Sequence, residues 1–306
     1  MVAAVLKLSP SRSSLLYPMP ELPEVETVRR TLEPAVGSVI TTSWGSGKPL
    51  HMNRAVPYAK IKRFVPSARI DKIRRYGKYL LVDLVHPSKK PHSLLVHLGM
   101  TGRLRIHPVD EPHAAHTHLV MKLKKRGSRR VTRELRYSDI RRFGQIDLLP
   151  SAAEHSHPAL SVLGLDPLLP EFDGPFLYEK ARRSGQGVKT FLLNQKIIAG
   201  IGNIYASEAL WLSRIRPSIR ANSLSKARSS RLAEAVTGVL NNALTNGGTS
   251  LKDFVAADGA QGSHSDYLLV YGRQGEACAR KGCKGTIRRT VIQGRATFHC
   301  PKCQER

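Results

Sequence analysis

Tyr79-Leu80-Leu81-Val82-Asp83-Leu84-Val85 and, after a polar turn, Ser93-Leu94-Leu95-Val96-His97-Leu98 are short apolar runs bounded by Gly77, Pro87 and Gly99. Runs of this length with turn residues at both ends read as strands. Working outward, the same pattern recurs at Ser38–Thr42, Ala68–Arg74, Leu104–His107, His118–Lys124, Arg133–Tyr137 and Gln145–Leu149. Eight short strands imply a two-sheet β-sandwich. A helix is expected before them, over Glu24 to Leu32, with Pro23 preset for the first turn and Glu24 and Glu26 near the positive end of its dipole. Beyond them the period changes. Leu232, Ala235, Val236, Val239, Leu240, Ala243 and Leu244 line one face of a helix that Ser225 or Ser223 would cap and Gly247-Gly248 would stop. The Pro-rich passage between the two regimes, Pro158 to Pro175, reads as a linker. The fold class is therefore α+β.

The chain has 306 residues, and 49 Lys and Arg against 23 Asp and Glu leave a net charge of +26. Such an excess attracts polyanions, with nucleic acid the leading partner over a ribosome- or membrane-associated role. The run from Lys122 to Arg142 is densely basic and reads either as a solvated hairpin face or as a DNA-facing surface. No stretch approaches the ~18 apolar residues of a membrane helix. A soluble cytoplasmic monomer is expected. Residues 1–18 contain two cations, no acid and too short an apolar run for a secretory signal, and are expected to be a mis-assigned start or a leader.

Cys278 and Cys283 are separated by four residues and Cys300 and Cys303 by two, with sixteen between the pairs. Two close thiolate pairs can close a tetrahedron around one structural Zn²⁺, with no open position for chemistry at the metal. Thr286–Ile292 and Ala296–His299 read as two strands joined through Gln293-Gly294-Arg295, so Arg295 is expected at the tip of a zinc-anchored hairpin. His299 is expected to be a strand residue.

Met19-Pro20-Glu21-Leu22-Pro23-Glu24-Val25-Glu26 resembles the start of the formamidopyrimidine-DNA glycosylases. The resemblance continues through Tyr76-Gly77-Lys78-Tyr79, His97-Leu98-Gly99-Met100-Thr101-Gly102, Arg141-Arg142-Phe143-Gly144, Gly200-Ile201-Gly202-Asn203-Ile204-Tyr205-Ala206-Ser207-Glu208 and the cysteine unit. It implies a catalytic sandwich over 19–157, a linker over 158–175, a helix–two-turn–helix DNA-binding domain over 176–270 and a zinc ribbon over 271–306. The implied activity is excision of oxidised purines, 8-oxoguanine and formamidopyrimidines, from damaged double-stranded DNA. Strand cleavage by β,δ-elimination follows.

The implied nucleophile is Pro20, as a chain terminus. A terminal amine titrates nearer neutrality than a lysine, and a secondary amine condenses with the opened sugar to a permanently charged iminium. Glu21 is implied as proton shuttle, Lys78 as proton donor and phosphate contact, and Arg295 as the arginine of δ-elimination. Met100, Arg141 and Phe143 match the side chains that fill the gap left by a flipped base. Asn203 and the start of the helix expected over Ile204 to Leu212 are implied to receive a phosphate. Lys189 matches a basic position on the DNA face, and His116 a DNA contact for which His118 is an alternative. Thr249 to Gly262 resembles a loop that folds over the extruded base.

Two departures stand out. Gly185 occupies a position that is basic in the family, with Arg182 and Arg183 nearby, and the first cysteine pair is spaced by four residues rather than two. Two other readings remain open. One is the endonuclease VIII branch, specific for oxidised pyrimidines, against which Leu22 and the Met100, Arg141 and Phe143 set argue. The other is a noncatalytic DNA-binding zinc protein, because Pro20 inside a continuous chain is a tertiary amide. The chemistry thus requires the 19 residues before Pro20 to be absent, with Met19 expected to be the true initiator and removed, and a cleaved leader ending at Met19 the alternative route.

Overall fold

The computed structural model describes residues 19–51, 55–248 and 264–304. The expected leader and the loop from Thr249 to Gly262 lie outside the described residues. Two compact units result. One holds the described residues up to Pro23, those from Val162 to Gly248 and those from His264 to Gln304; the other runs from Glu24 to Ser161.

All eight expected strands form in the second unit: β1 (Val39–Gly45), β2 (Arg69–Tyr76), β3 (Tyr79–His86), β4 (Lys89–His97), β5 (Gly102–Pro108), β6 (Thr117–Lys124), β7 (Val131–Asp139) and β8 (Gln145–Pro150). They run in the order β5-β7-β6-β1-β2-β3-β4-β8. The ladder passes from β1 to β2 through the single pair Val39↔Arg69, so it divides into two four-stranded leaves. Ile40, Leu104, Met121 and Leu135 of one leaf and Ile70, Val82, Val96 and Ile146 of the other share one buried core, which makes the expected sandwich. Each such side chain stabilises the fold by about 1.5–3 kcal/mol on burial. Helix α1 (Leu22–Thr31) adds Val28 to this core.

Strict alternation fails on β3 for a visible reason. Leu80, Val82 and Leu84 face the core, but the opposite side is covered too. There Asp83 accepts two 2.7 Å bonds from Arg74 and a 3.0 Å bond from the Ser93 hydroxyl. Helix α2 (Tyr58–Phe64) escapes sequence reading because it spans barely two turns.

The first unit holds α3 (Gly174–Arg182), α4 (Val188–Leu192), α5 (Asn203–Leu212), α6 (Lys226–Thr245) and the hairpin β9 (Arg288–Ile292) and β10 (Arg295–His299). Ser225 caps α6, its hydroxyl accepting from the Arg228 N–H. The linker reading needs correction at its far end. Pro175 lies in the first turn of α3, where its missing N–H is harmless, and Asp173 caps that helix. Leu165 bridges to Ile198, so this part of the segment is fastened to its unit. Among the described residues no helix is long and apolar enough to cross a membrane.

Helix α5 is buried from Ile204 to Trp211 and carries Glu208 into the interior. That carboxylate accepts N–H bonds of 2.9, 2.9 and 2.8 Å from Leu269, Val270 and Tyr271. Burial still pushes its pKa up against the pull of these bonds. Replacement Glu208→Ala orphans three backbone donors and is expected to cost about 3–5 kcal/mol in urea unfolding, with Glu208→Gln, which keeps one accepting oxygen, costing less.

Candidate active site

In the helical unit, Pro20 is buried and the two residues after it are seated against the glycines before α5. The Leu22 N–H donates to the Gly200 carbonyl at 3.1 Å. A Cβ at Gly200, whose φ is +95°, would lie 2.8 Å from Leu22, and one at Gly202 would lie 2.2 Å from the Glu21 carboxyl carbon. Only glycine permits that approach. Glu21, 2 % exposed, accepts the Ile204 N–H at 2.9 Å and the Tyr205 N–H at 3.4 Å. It thereby caps α5, which has no side-chain cap of its own from Gly202. The sequence assigns these donors to a phosphate. The structure gives them to Glu21, because a buried carboxylate at a helix N-terminus satisfies both the orphan N–H groups and the dipole.

The hairpin turns through Gln293 and Gly294, both with positive φ (46° and 71°), so its loop has two residues and Arg295 opens β10. The carbonyl of Ala296, next in the chain, accepts from Asn203 Nδ2 at 2.9 Å and from Lys189 Nζ at 3.0 Å. Lys189 Nζ also donates to Thr297 Oγ1 at 2.8 Å. The resemblance implies a basic position on the DNA face at Lys189. The side chain is 1 % exposed, and burial lowers its pKa to about 7, with Glu21 opposing the effect and the Arg295 charge adding to it. Arg295 is exposed and shares a polar cavity of about 220 Å³ with Lys189, Gln186, Thr190, Asn194 and Gln293.

The four cysteine sulfurs lie within 4.8 Å of one another, with Cys278–Cys303 and Cys283–Cys300 both at 3.7 Å. A tetrahedron of sulfurs about 2.3 Å from a zinc ion has edges of about 3.8 Å, whereas a disulfide needs about 2.05 Å. A Cβ at Gly285 would fall 2.7 Å from the Cys300 sulfur, so the knuckle requires glycine. The four thiols are arranged to hold a metal ion, and His299 is a β10 residue outside the set.

In the sandwich unit, Lys78 sits in the two-residue turn between Tyr76 and Tyr79, ahead of β3 rather than within it. Its charge and, more strongly, burial hold His97 down to about 4. The two segments that carry Met100 and, further on, Arg141 and Phe143 are tied to one buried carboxylate, Asp139. It accepts from Thr101 Oγ1 at 2.5 Å, the Gly144 N–H at 2.8 Å and the Tyr137 hydroxyl at 3.2 Å. The Arg141 N–H donates to Thr101 Oγ1 at 3.1 Å, and its guanidinium lies 4.8 Å from the Phe143 ring centre. Met100 is half-buried, whereas Arg141 and Phe143 are exposed. Of the two histidines, His116 is exposed. His118 is buried, its Nε2 donating to the Asp139 carbonyl at 3.0 Å and its Nδ1 paired with Ser46 Oγ at 3.1 Å.

Residues 19–146 match the model of the formamidopyrimidine-DNA glycosylase N-terminal domain, and residues 163–255 that of the H2TH domain of the same enzymes. The chain belongs to the formamidopyrimidine-DNA glycosylase family. It is 40 % identical over 292 residues to the formamidopyrimidine-DNA glycosylase of Cereibacter sphaeroides, and 40 % over 294 residues to that of Stenotrophomonas maltophilia. In both cases 94 % of this chain covers the whole relative. Similar solved structures include Lactococcus lactis Fpg bound to DNA with an abasic site, at TM-score 0.81 and 32 % identity, covering 94 % of this chain and all of that one. A Lactococcus lactis Fpg variant with DNA containing Fapy-dG matches at TM-score 0.82 and 33 %, with the same coverage.

Family membership accounts for the order of the motifs; the geometry adds Asp139 and the doubled hold on Ala296. Asp139 carries no motif signal, since one acid among arginines reads as a surface residue until its three donors are seen. The Lys189 environment has a measurable consequence. Above about pH 7 the folded protein has lost a proton that an unfolded lysine, at 10.5, still holds, so stability rises with pH across that window. Lys189→Met should abolish this part of the rise, comparing urea midpoints at about pH 7 and about pH 9.5.

Proposed function

We propose that this protein is a bifunctional DNA glycosylase and abasic-site lyase that excises oxidised purines from duplex DNA, acting as a monomer through the amine of Pro20. The observation that carries the reading is the seating of Pro20-Glu21 against the start of α5, with the Glu21 carboxylate buried and held by two backbone N–H groups. Membership of the glycosylase family and the likeness to Fpg–DNA complexes support it. The Pro20 nitrogen forms a bond to C1′ as the bond from C1′ to the base breaks. Glu21 moves the proton that the departing base and the opening sugar require. The resulting iminium draws electrons from the sugar. Loss of a C2′ proton expels the 3′ phosphate, and a further proton loss expels the 5′ phosphate.

We assign Lys78 to proton donation and phosphate contact and Arg295 to δ-elimination. Met100, Arg141 and Phe143 fill the space of the flipped base, and His116 rather than His118 meets the backbone, since His118 is occupied. Asn203 and Lys189 act on the DNA through the hairpin that they hold. With the linker ending at the α3 cap, the working divisions are 19–157, 158–173, 174–270 and 271–306, with residues 1–19 absent so that Pro20 is a free amine. A family match that starts at residue 19 supports this start.

Borohydride trapping on duplex carrying 8-oxoguanine opposite cytosine should give a covalent adduct with protein begun at Met19 and none with protein that retains Met1. Absence of an adduct from the shorter chain would remove the lyase reading. Glu21→Gln should lower base excision about 10²–10⁴-fold, and thymine glycol opposite adenine should be the poorer substrate; the reverse preference would move the protein to the oxidised-pyrimidine branch. We further propose one structural Zn²⁺ on Cys278, Cys283, Cys300 and Cys303, serving to hold the hairpin. Metal analysis should return one equivalent of zinc, and Cys283→Ser should lose both the metal and δ-elimination.

A further inference from the structure

The sandwich unit carries a concavity remote from Lys78. A groove of about 700 Å³ lies between α2 and the β3–β4 hairpin, lined by Ala59, Lys60, Arg63, Phe64, Lys89, Lys90 and His92. Its size falls within the range of ligand pockets, about 300–1,000 Å³. Four of the seven lining residues are permanent cations and none is an acid. Tyr79 pairs with His97 at one end of β3 and His86 with Lys89 at the other. At about 3.3 Å per residue the groove is therefore about 23 Å along the strand from the Lys78 turn.

The rim is already ordered. Lys60 Nζ donates to the Leu148 carbonyl at 2.6 Å, and Lys89 Nζ to the Arg63 carbonyl at 2.9 Å, fixing two ammonium groups whose remaining protons need acceptors. Beneath them Phe64 contacts the His92 ring at 3.8 Å between centres, with the Lys89 ammonium 5.1 Å from its own. What remains is an apolar floor of Ala59, Phe64 and methylene stems inside a ring of positive charge. A DNA backbone would use the ring and leave the floor empty.

We infer that this groove docks an acidic peptide segment of a partner protein, with one aromatic side chain inserted onto the floor and carboxylates on Lys60, Arg63, Lys89 and Lys90. An inserted ring gains both apolar burial and the attraction of the surrounding cations. The inference stands independently of the glycosylase reading.

Fluorescence anisotropy on the full chain tests it, with a labelled peptide of aspartate and glutamate flanking one phenylalanine, the same peptide with serine in that place, and unlabelled duplex DNA as competitor. The phenylalanine peptide should bind in the micromolar range, and the serine peptide about tenfold more weakly. The pair Arg63→Glu and Lys90→Glu should weaken binding at least about tenfold while leaving glycosylase activity unchanged; the pair Lys226→Glu and Arg231→Glu, with the same charge change, should weaken it less than about threefold. Phe64→Leu, checked for folding by its Tm, should reduce the advantage of phenylalanine over serine. Equal losses from the two charge pairs would reduce the effect to general electrostatics and overturn the inference. So would indifference to the phenylalanine, or displacement by duplex that is itself lost with Arg63→Glu and Lys90→Glu, which would make the groove a DNA contact.

Discussion

The bond from the Ile204 N–H to Glu21 ties the segment at Pro20 to the start of α5, and the arrangement of the helical unit around that point depends on it. It joins residues far apart in sequence and gives a buried carboxylate a partner that water cannot replace. The start of α5 needs an acceptor for its free donors, and Glu21 needs donors; each group resolves the other's desolvation. Leu22 then drops into the core of the helical unit, and its backbone bond to Gly200 sets the depth. Proline has no freedom at φ, so the place of Pro20 is decided by these neighbours rather than by anything it does itself.

Charge behaves differently inside the fold than along the sequence. The basic run from Lys122 to Arg142 contains Arg136, 4 % exposed, which pairs with buried Glu134 at 2.7 Å and donates to the carbonyls of Pro108 at the end of β5 and of Glu111 and Pro112 in the loop after it. Lys189 is likewise interior. These cations organise loops and a hairpin, whereas Arg141, Arg142 and Arg295 stay in water, where polyanions can reach them. A charge count treats both kinds alike. Counterion release is limited to the second.

The strands were legible because half-buried sheets write a period of two and end in glycine or proline, and α6 because a long amphipathic helix writes a period of 3.6. Helices α2 and α4 are too short to write any period. Pro175 reads as a break because proline begins helices as readily as it ends other structure. The cysteine cluster was legible in full, since ligand spacing is local. The support around Arg295 was not: Lys189, Asn203 and Ala296 meet only through tertiary packing, and a lysine's burial leaves no mark on its neighbours in sequence. The glycines at 200 and 202 were visible as a motif, but their physical reason is the approach of Glu21 and Leu22.

The Ala296 carbonyl has two lone pairs, and each is met by a donor from a different helix. Loss of either donor leaves the hairpin held by the other, so its position should degrade in steps. A lineage can therefore drift at 189 or at 203 singly and keep a chain on which selection still acts, whereas position 202 has no such latitude while Glu21 stays, since any side chain there would strike its carboxyl group.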